Sequence, residues 1–140
     1  MILLDTTVLI YAVGGDHPLR GPAAALVDAV GSGELRGTTT VEVIQEFTRV
    51  RARRRGREDA ASLASELVTL LSPLTTVTSS DLVAGLRRFR GAESLGCFGA
   101  VLAAAAHRTG AVLVTADRVL LAELDDAVAL DDAPRILLGR

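Results

Sequence analysis

The sequence predicts an α/β fold with a mainly parallel central sheet and helices on both of its faces. Short apolar segments, typical of buried strands, alternate along the chain with longer segments whose apolar residues recur at helical intervals. The strand segments lack the polar–apolar alternation of a strand with one face in water, so both faces should be covered. We therefore expect a three-layer α/β/α arrangement formed by a single domain, residues 1–140.

The first predicted strand leads directly into an acidic residue. Residues 1–4 are an uninterrupted apolar segment, and Asp5 follows at the carboxyl end. Thr6 or Thr7 is expected to cap the next helix, which includes residues 8–11. Ligands of open α/β sheets collect at this edge. Because a buried carboxylate is costly unless it holds something positive, we interpret Asp5 as a metal ligand.

The remaining elements are delimited by residues that cap or interrupt helices. Pro22 suits a first helical turn, and Thr40 suits a helix start. Pro73 marks a helix end, and Gly110 a carboxyl-terminal cap, whereas residues 134–140 show no clear pattern. The further predicted strands are residues 35–39, 74–78, 111–115 and 127–130. The further predicted helices are residues 23–30, 43–50, 57–71, 82–89, 98–108 and 119–124.

The composition excludes several classes of protein. The net charge of −2 is not that of a generally basic nucleic-acid binder, although six arginines crowd between residues 49 and 57. A single cysteine, Cys97, excludes an internal disulfide and a cysteine-only metal site. No apolar segment is as long as a membrane span, and Met1 leads straight into the first strand without a signal peptide. We therefore expect a cytoplasmic protein.

Acidic residues with neighbouring hydroxyls are predicted to meet at one edge of the sheet. Two strands end in such a pair, and a helix that opens at a third strand end carries another acid. Right-handed crossovers place these ends at the same edge. Hard oxygen ligands suit Mg²⁺ or Mn²⁺, which activate water for attack on a phosphodiester while arginines hold the phosphate backbone. The acids are Asp5, Glu46 and Asp117, and the hydroxyls belong to Thr6, Thr7 and Thr115.

Three segments together resemble the PIN domain. These are residues 5–11, 43–47 and 112–118, in this order and in a chain of this length. Size and order are most similar to the VapC branch, the ribonuclease toxins of bacterial VapBC toxin–antitoxin pairs. The resemblance implies a Mg²⁺-dependent endoribonuclease that acts on transfer or ribosomal RNA. It also implies a homodimer and a cognate VapB-like antitoxin that blocks the site.

The resemblance further implies roles for individual residues. Asp5, Glu46 and Asp117 match the acidic metal ligands that carry catalysis. Glu42 is the fallback for Glu46, because residues four apart share a helix face. The hydroxyls implied to orient these ligands or a water are those of Thr6, Thr7 and Thr115. The residues expected to contact RNA or the antitoxin are Arg49, Arg53 and Arg118.

One position departs from the family pattern. The resemblance implies a further Asp at the start of the Ala-rich helix, but the chain has Gly99 between Phe98 and Ala100. Glycine is a poor helix former, so helix formation does not explain it. Either the natural protein is a degenerate member, or the chain is an inactivated variant, or Glu93 in the preceding loop takes over. We predict that Gly99→Asp raises Mg²⁺-dependent RNA cleavage.

Each feature also has a simpler interpretation. Asp5 could serve only as a helix cap, and Asp117 as a turn residue. Glu42 and Glu46 could belong to a solvated helix face, and the Arg cluster to a solvated surface. For the whole protein, one alternative is a PIN module that has lost catalysis and binds RNA or the antitoxin. Another is a small phosphohydrolase with Asp5 as nucleophile, which the absence of Lys disfavours.

Overall fold

A central sheet of four parallel strands flanked by helices confirms the predicted fold class. The computed structural model describes residues 1–140. The strands are β1 (Ile2–Leu4), β2 (Gly37–Thr38), β3 (Val112–Thr115) and β4 (Val128–Ala129). The helices are α1 (Thr6–Ala12), α2 (Arg20–Gly31), α3 (Val41–Arg55), α4 (Arg57–Leu71), α5 (Ser79–Gly91), α6 (Cys97–Thr109), α7 (Arg118–Glu123) and α8 (Ala133–Leu138). None of these helices has both the length and the apolar character needed to cross a membrane.

β1 lies in the interior of the sheet, whose strand order is β2-β1-β3-β4. Ile2 pairs with Gly37 on one side and with Val112 on the other. All three side chains of β1 are almost completely buried. The uninterrupted apolar sequence therefore belongs to a strand covered on both faces. The residue that follows β1 emerges between the ends of two neighbouring strands.

Helices α5 and α6 approach each other closely at a glycine. A Cβ on Gly85 would lie 2.6 Å from Cγ2 of Val101 and 2.8 Å from its Cα and N atoms. Where α5 begins and α6 ends, Arg108 donates through Nε to Oδ1 of the buried Asp81 at 2.8 Å and through Nη2 to the carbonyl of Thr76 at 2.7 Å. Glycine and ion pair thus fix the two helices against each other.

Two parts of the chain differ from the prediction. Residues 74–78 do not form a strand. Thr75 makes an isolated bridge to Thr40, and its N–H donates to the Thr39 carbonyl at 2.8 Å. This segment lies beside the short strand β2, which leaves too little extended backbone for a longer ladder. Residues 134–140, in which no pattern was evident, contain most of α8, with Pro134 in its first turn, where the missing N–H costs no hydrogen bond.

Candidate active site

Asp5 ends β1 and caps α1. Its Oδ1 accepts a hydrogen bond from the Thr6 N–H at 2.7 Å, so the predicted capping by Thr6 or Thr7 is wrong. The carboxylate already reaches a free N–H at the start of the helix, as an N-cap residue does. Only 7% of Asp5 is exposed. A carboxylate is rarely buried to this degree without a partner that compensates its charge.

Hydrogen bonds connect the end of β3 to the start of α1. Thr115 Oγ1 donates to Asp5 Oδ2 at 2.6 Å and accepts from the Asp117 N–H at 3.0 Å. Thr7 Oγ1 accepts from the Ala116 N–H at 3.2 Å. These bonds bring Asp5 and Asp117 together at the carboxyl edge of the sheet, where parallel strands end side by side.

Asp117 is exposed and caps α7. Its Oδ1 accepts from the N–H groups of Val119 at 2.9 Å and Leu120 at 3.3 Å. The second carboxylate oxygen has no hydrogen-bond partner in the chain. Asp5 and Asp117 are therefore both helix caps, but capping leaves one carboxylate oxygen of Asp117 available to a ligand.

The electrostatic environment of Asp5 opposes its ionisation. Burial raises the pKa of Asp5 above the ordinary aspartate value, and the charge of Asp117 raises it further. Hydrogen bonds from Thr115 and Thr6 act in the opposite direction and lower the pKa. A cation beside the two carboxylates would favour the ionised form of Asp5.

Glu46 is held by its own helix. Arg49 donates through Nη2 to Oε1 at 2.6 Å and through Nε to Oε2 at 3.1 Å. This bidentate pair lowers the pKa of Glu46, and the charge of Arg53 lowers it further. Glu42 lies on the same face of α3 one turn earlier and has no hydrogen-bond or ion-pair partner. Glu46, which was predicted to join Asp5, is therefore already paired with Arg49. Glu42, the predicted alternative to Glu46, has no partner in the chain.

Gly99 lies in the first turn of α6 and faces α7. A Cβ on Gly99 would lie 3.4 Å from Cδ1 of Leu120, an ordinary contact distance. The backbone of Gly99 is helical and is not among the glycines with positive φ. Neither space nor backbone conformation therefore requires glycine here. A side chain at this position would start beside the helix that Asp117 caps.

The oxygen atoms present fit a mostly hydrated divalent cation better than a fully enclosed one. No three His, Cys, Asp or Glu side chains are grouped so that they could hold a metal ion together. The three predicted acids are therefore not assembled, and Asp5 and Asp117 remain as the pair. Mg²⁺ is usually held by one or two carboxylates, with waters completing its shell. The buried Thr6 Oγ1, which has no hydrogen-bond partner, is a further oxygen next to Asp5.

The arginines near the site differ in their roles. Arg49 and Arg53 are exposed on the face of α3 that carries Glu42 and Glu46, and Arg118 is exposed at the start of α7. Arg51 is mostly buried; it pairs with Asp59 and donates to the Val13 carbonyl. The Arg cluster is therefore not uniform, because Arg51 connects α1, α3 and α4.

An apolar pocket that was not expected from the sequence opens between α3 and α6. The signal that could have indicated it is Phe98, a large aromatic residue at the exposed start of a helix. We call this cavity the α3–α6 pocket; it is lined by Thr40, Glu42, Val77, Cys97, Phe98, Val101 and Leu102.

The chain is similar to known proteins both in sequence and in structure. Ribonuclease VapC7 of Mycobacterium tuberculosis is 46% identical over 134 residues, which is 91% of this chain and 89% of that protein. Ribonuclease VapC23 of the same organism is 35% identical over 82 residues, which is 59% of this chain and 64% of that protein. The crystal structure of PAE2754 from Pyrobaculum aerophilum superposes with a TM-score of 0.69 at 25% identity, over 99% of this chain and 97% of that one.

The PIN domain family matches residues 2–127. This match contains both carboxylates at the sheet edge, the three threonines that surround them and the position of Gly99. The chain therefore belongs to the PIN domain family, in its VapC-type branch.

Proposed function

We propose that this chain is an endoribonuclease of the VapC type, which hydrolyses phosphodiester bonds in transfer or ribosomal RNA with Mg²⁺ or Mn²⁺. The observation that supports the proposal best is the hydrogen-bonded group of Asp5, Thr115 and Asp117 at the sheet edge. It occurs in a chain that is 46% identical to a protein named as a ribonuclease. Asp5, Asp117 and the hydroxyl of Thr6 are the oxygens that would hold the metal, and Glu46 would join them only after release from Arg49.

The residues at the sheet edge and the nearby arginines would have different roles in hydrolysis. A bound Mg²⁺ would supply an activated water and neutralise charge on the phosphate. Asp5 and Asp117 would hold the ion, and Thr115 fixes both of their positions through hydrogen bonds at 2.6 and 3.0 Å. Thr7 holds the backbone of the loop that carries Asp117. Arg49, Arg53 and Arg118 are exposed and would contact phosphates of the RNA or acidic residues of the antitoxin.

The partners follow from the same assignment. We propose a VapB-like antitoxin that covers the acidic edge, and a homodimer. The outer face of α5 supports the dimer, since Leu82, Val83, Leu86 and Phe89 are each more than 40% exposed there. An exposed apolar row of this kind is typical of an association surface. We further propose that residues 1–140 act as one domain in the cytoplasm.

Gly99 favours a second candidate function, that of a PIN module with weakened or absent catalysis that binds RNA or the antitoxin. The structure has no group of three acids for a metal, and the position at the start of α6 has no side chain. The two candidates differ in a single measurable property, namely cleavage of RNA that depends on Mg²⁺.

The test compares the parent chain with Gly99→Asp and its uncharged counterpart Gly99→Asn. Calorimetry with Mg²⁺ measures binding, and gel analysis of transfer and ribosomal RNA with Mg²⁺ or EDTA measures cleavage. We expect Gly99→Asp to exceed the parent in cleavage rate by about 10–100-fold, the usual scale for a residue that supports a metal site. Gly99→Asn controls for helix formation and should stay near the parent. Cleavage by none of the three proteins contradicts the ribonuclease, and equal metal binding by all three contradicts the role of position 99.

A further inference from the structure

The charge of the chain is distributed unevenly, and its positive part lies where α3 meets α4. Six arginines and two acids give residues 49–59 a net charge of +4, whereas the whole chain has −2, so the remaining residues carry −6. Two of these arginines are engaged, since Arg49 pairs with Glu46 and Arg51 with Asp59. The other four are exposed and have no hydrogen-bond or ion-pair partner; we call them the turn arginines, namely Arg53, Arg54, Arg55 and Arg57.

The turn that carries these arginines is fixed by contacts on both sides. Gly56 has a φ of +90°, which residues with a side chain rarely adopt, and it allows α4 to begin directly where α3 ends. Arg51, whose side chain is only 15% exposed, donates through Nη2 to Asp59 Oδ2 at 3.3 Å and through Nη1 to the Val13 carbonyl at 3.1 Å. These bonds connect α3 to α4 and to the end of α1. The turn arginines therefore extend from an ordered backbone, which lowers the entropic cost of binding a ligand.

The turn arginines are separated from the candidate active site by the length of α3. The Thr39 hydroxyl donates to the Leu4 carbonyl at 2.7 Å, so α3 begins beside the end of β1, where Asp5 follows. From Val41, the first residue of α3, to Arg54 the helix rises about 20 Å. A ligand that contacts the acidic edge and the turn together is therefore an extended polyanion, because a single nucleotide cannot reach both.

The surroundings of the turn restrict the kind of polyanion. Guanidinium groups only donate hydrogen bonds, in a geometry that matches phosphate oxygens. Sites for single-stranded RNA combine such cations with aromatic side chains on which the bases stack. Residues 49–59 contain no aromatic side chain, Phe47 is completely buried, and Tyr11 of α1 is already stacked on His17. Contacts at the turn are therefore to the backbone alone, as in the recognition of double-helical RNA by its shape and phosphates.

We propose that the turn arginines bind the phosphate backbone of a double-helical part of the RNA, while a single-stranded part of the same molecule occupies the acidic edge. This proposal rests on the proposed ribonuclease function and adds to it a second RNA-binding surface, about 20 Å from the acidic edge. The acidic edge and the net charge of −2 both repel phosphate, so a ribonuclease of this composition holds RNA through a local positive surface. A protein partner does not need this surface, because it can bind through apolar contacts.

The experiment measures fluorescence anisotropy of a labelled hairpin RNA with the full chain in EDTA, so that no cleavage interferes. Its stem has about sixteen base pairs, the length that domains specific for double-stranded RNA cover, and one strand of the stem alone is the single-stranded comparison. We expect the hairpin to bind about tenfold more tightly than the single strand, because its phosphates are more closely spaced. Arg55→Gln combined with Arg57→Gln should weaken hairpin binding about tenfold and reduce the slope of log K against log salt concentration by about 2. Arg55→Lys combined with Arg57→Lys should keep the slope of the parent, because both charges remain.

The matched control is Arg135→Gln combined with Arg140→Gln, which removes the same charge from two exposed arginines outside the turn. It should bind the hairpin with the slope of the parent; an equal loss in both double variants means that only the net charge matters, and it overturns the proposal. Arg55 could also act only through the carboxyl-terminal dipole of α3. In that case the Gln variant unfolds at lower urea concentration but keeps the slope of the parent, which overturns the proposal as well.

Further outcomes separate this surface from the proposed function. A parent that cleaves RNA but binds the hairpin no better than the single strand overturns the surface for double-helical RNA and leaves the ribonuclease intact. Failure of both the parent and Gly99→Asp to bind or cleave any RNA overturns the ribonuclease too. A polyglutamate peptide tests for an acidic protein partner. If it binds the parent more tightly than the hairpin does, and the Gln variant loses this binding, the turn arginines belong to a protein interface and the proposal is wrong.

Discussion

Asp5 makes hydrogen bonds that stabilise the fold, but the burial of its charge is unfavourable. Its Oδ1 caps α1 and its Oδ2 accepts from Thr115. Its burial nevertheless raises its pKa, because a charge is poorly solvated there. The helix cap could have been supplied by Ser or Asn, which are buried at lower cost than a charge. The structural role alone therefore does not require a carboxylate at this position, and the proposed cation would account for it.

The Asp5→Asn substitution tests this explanation. The amide keeps an acceptor for the Thr6 N–H, and it removes the buried charge. We expect the free energy of unfolding of Asp5→Asn at neutral pH to exceed that of the parent by about 0.5–2 kcal/mol. We also expect Asp5→Asn to lose Mg²⁺ binding. Urea unfolding and calorimetry measure the two effects. A less stable variant that still binds Mg²⁺ would contradict the role of Asp5.

The same explanation predicts a pH dependence. Because the folded-state pKa of Asp5 is raised, the parent binds this proton more tightly when folded, and the contribution of Asp5 to stability falls as pH rises from the ordinary aspartate pKa through the raised one. The stability gap between Asp5→Asn and the parent should therefore narrow on acidification. Mg²⁺ affinity of the parent should rise with pH over this window, because binding releases the proton. Urea titrations and calorimetry at several pH values provide the measurement, and a gap that widens on acidification would contradict the prediction.

At the scale of elements, α5 and α6 form a unit that depends on contacts not evident from either helix alone. Asp81 completes a capping box with Thr78 at the start of α5, and it also pairs with Arg108 of α6, which lowers the pKa of Asp81. This unit supports the first turn of α6, where Phe98 and Gly99 lie.

Gly85→Ala tests the close approach of the two helices. Its Cβ would meet Val101 backbone atoms at 2.8 Å, and backbone cannot move aside as a flexible side chain can. We expect the free energy of unfolding to fall by about 1–3 kcal/mol, the usual cost of overpacking, despite the better helix propensity of Ala. Denaturant unfolding provides the measurement. Gly91→Ala in the same helix meets nothing within 4 Å and should be neutral or slightly stabilising; equal effects of both substitutions would contradict the packing explanation.

At the scale of the whole molecule, two surfaces remain uncovered by the chain itself. One is the acidic edge with the α3–α6 pocket, and the other is the apolar outer face of α5. They have different chemistry, since the first combines carboxylates with arginines and the second is a row of Leu, Val and Phe. This difference agrees with the proposal of an RNA or antitoxin site at the first surface and a separate dimer interface at the second.

Leu86→Glu tests the assignment of the α5 face to the dimer. Leu86 is 43% exposed in the middle of the row, so a charge there should not disturb the core. We expect the parent to be a dimer in light scattering and Leu86→Glu to be a monomer with an unchanged circular dichroism spectrum. Ile136→Glu is the control, because Ile136 is similarly exposed on α8. A dimer that persists in Leu86→Glu but dissociates in Ile136→Glu would move the interface to α8.

Local patterns in the sequence determined most of the fold and the identity of the candidate residues. The apolar segment of β1, the helical periods and the caps at Thr40 and Gly110 depend on neighbouring residues, and all are present in the structure. The order of strands and helices was sufficient to predict that Asp5 and Asp117 lie at one edge. The strand predicted at residues 74–78 failed because a strand needs a partner, and local propensity does not supply one.

Only the tertiary structure decided how the candidate side chains are engaged. Glu46 pairs with Arg49, Asp5 is shared between α1 and Thr115, and Glu42 remains unpaired beside an apolar pocket. Periodicity places a carboxylate on a face, but its partner depends on rotamers and on distances between segments far apart in the chain. Burial has the same origin, because the desolvation that raises the pKa of Asp5 comes from elements that pack around β1. The physical reason is that charge interactions act through space and depend on the surrounding dielectric, neither of which is a property of a sequence segment.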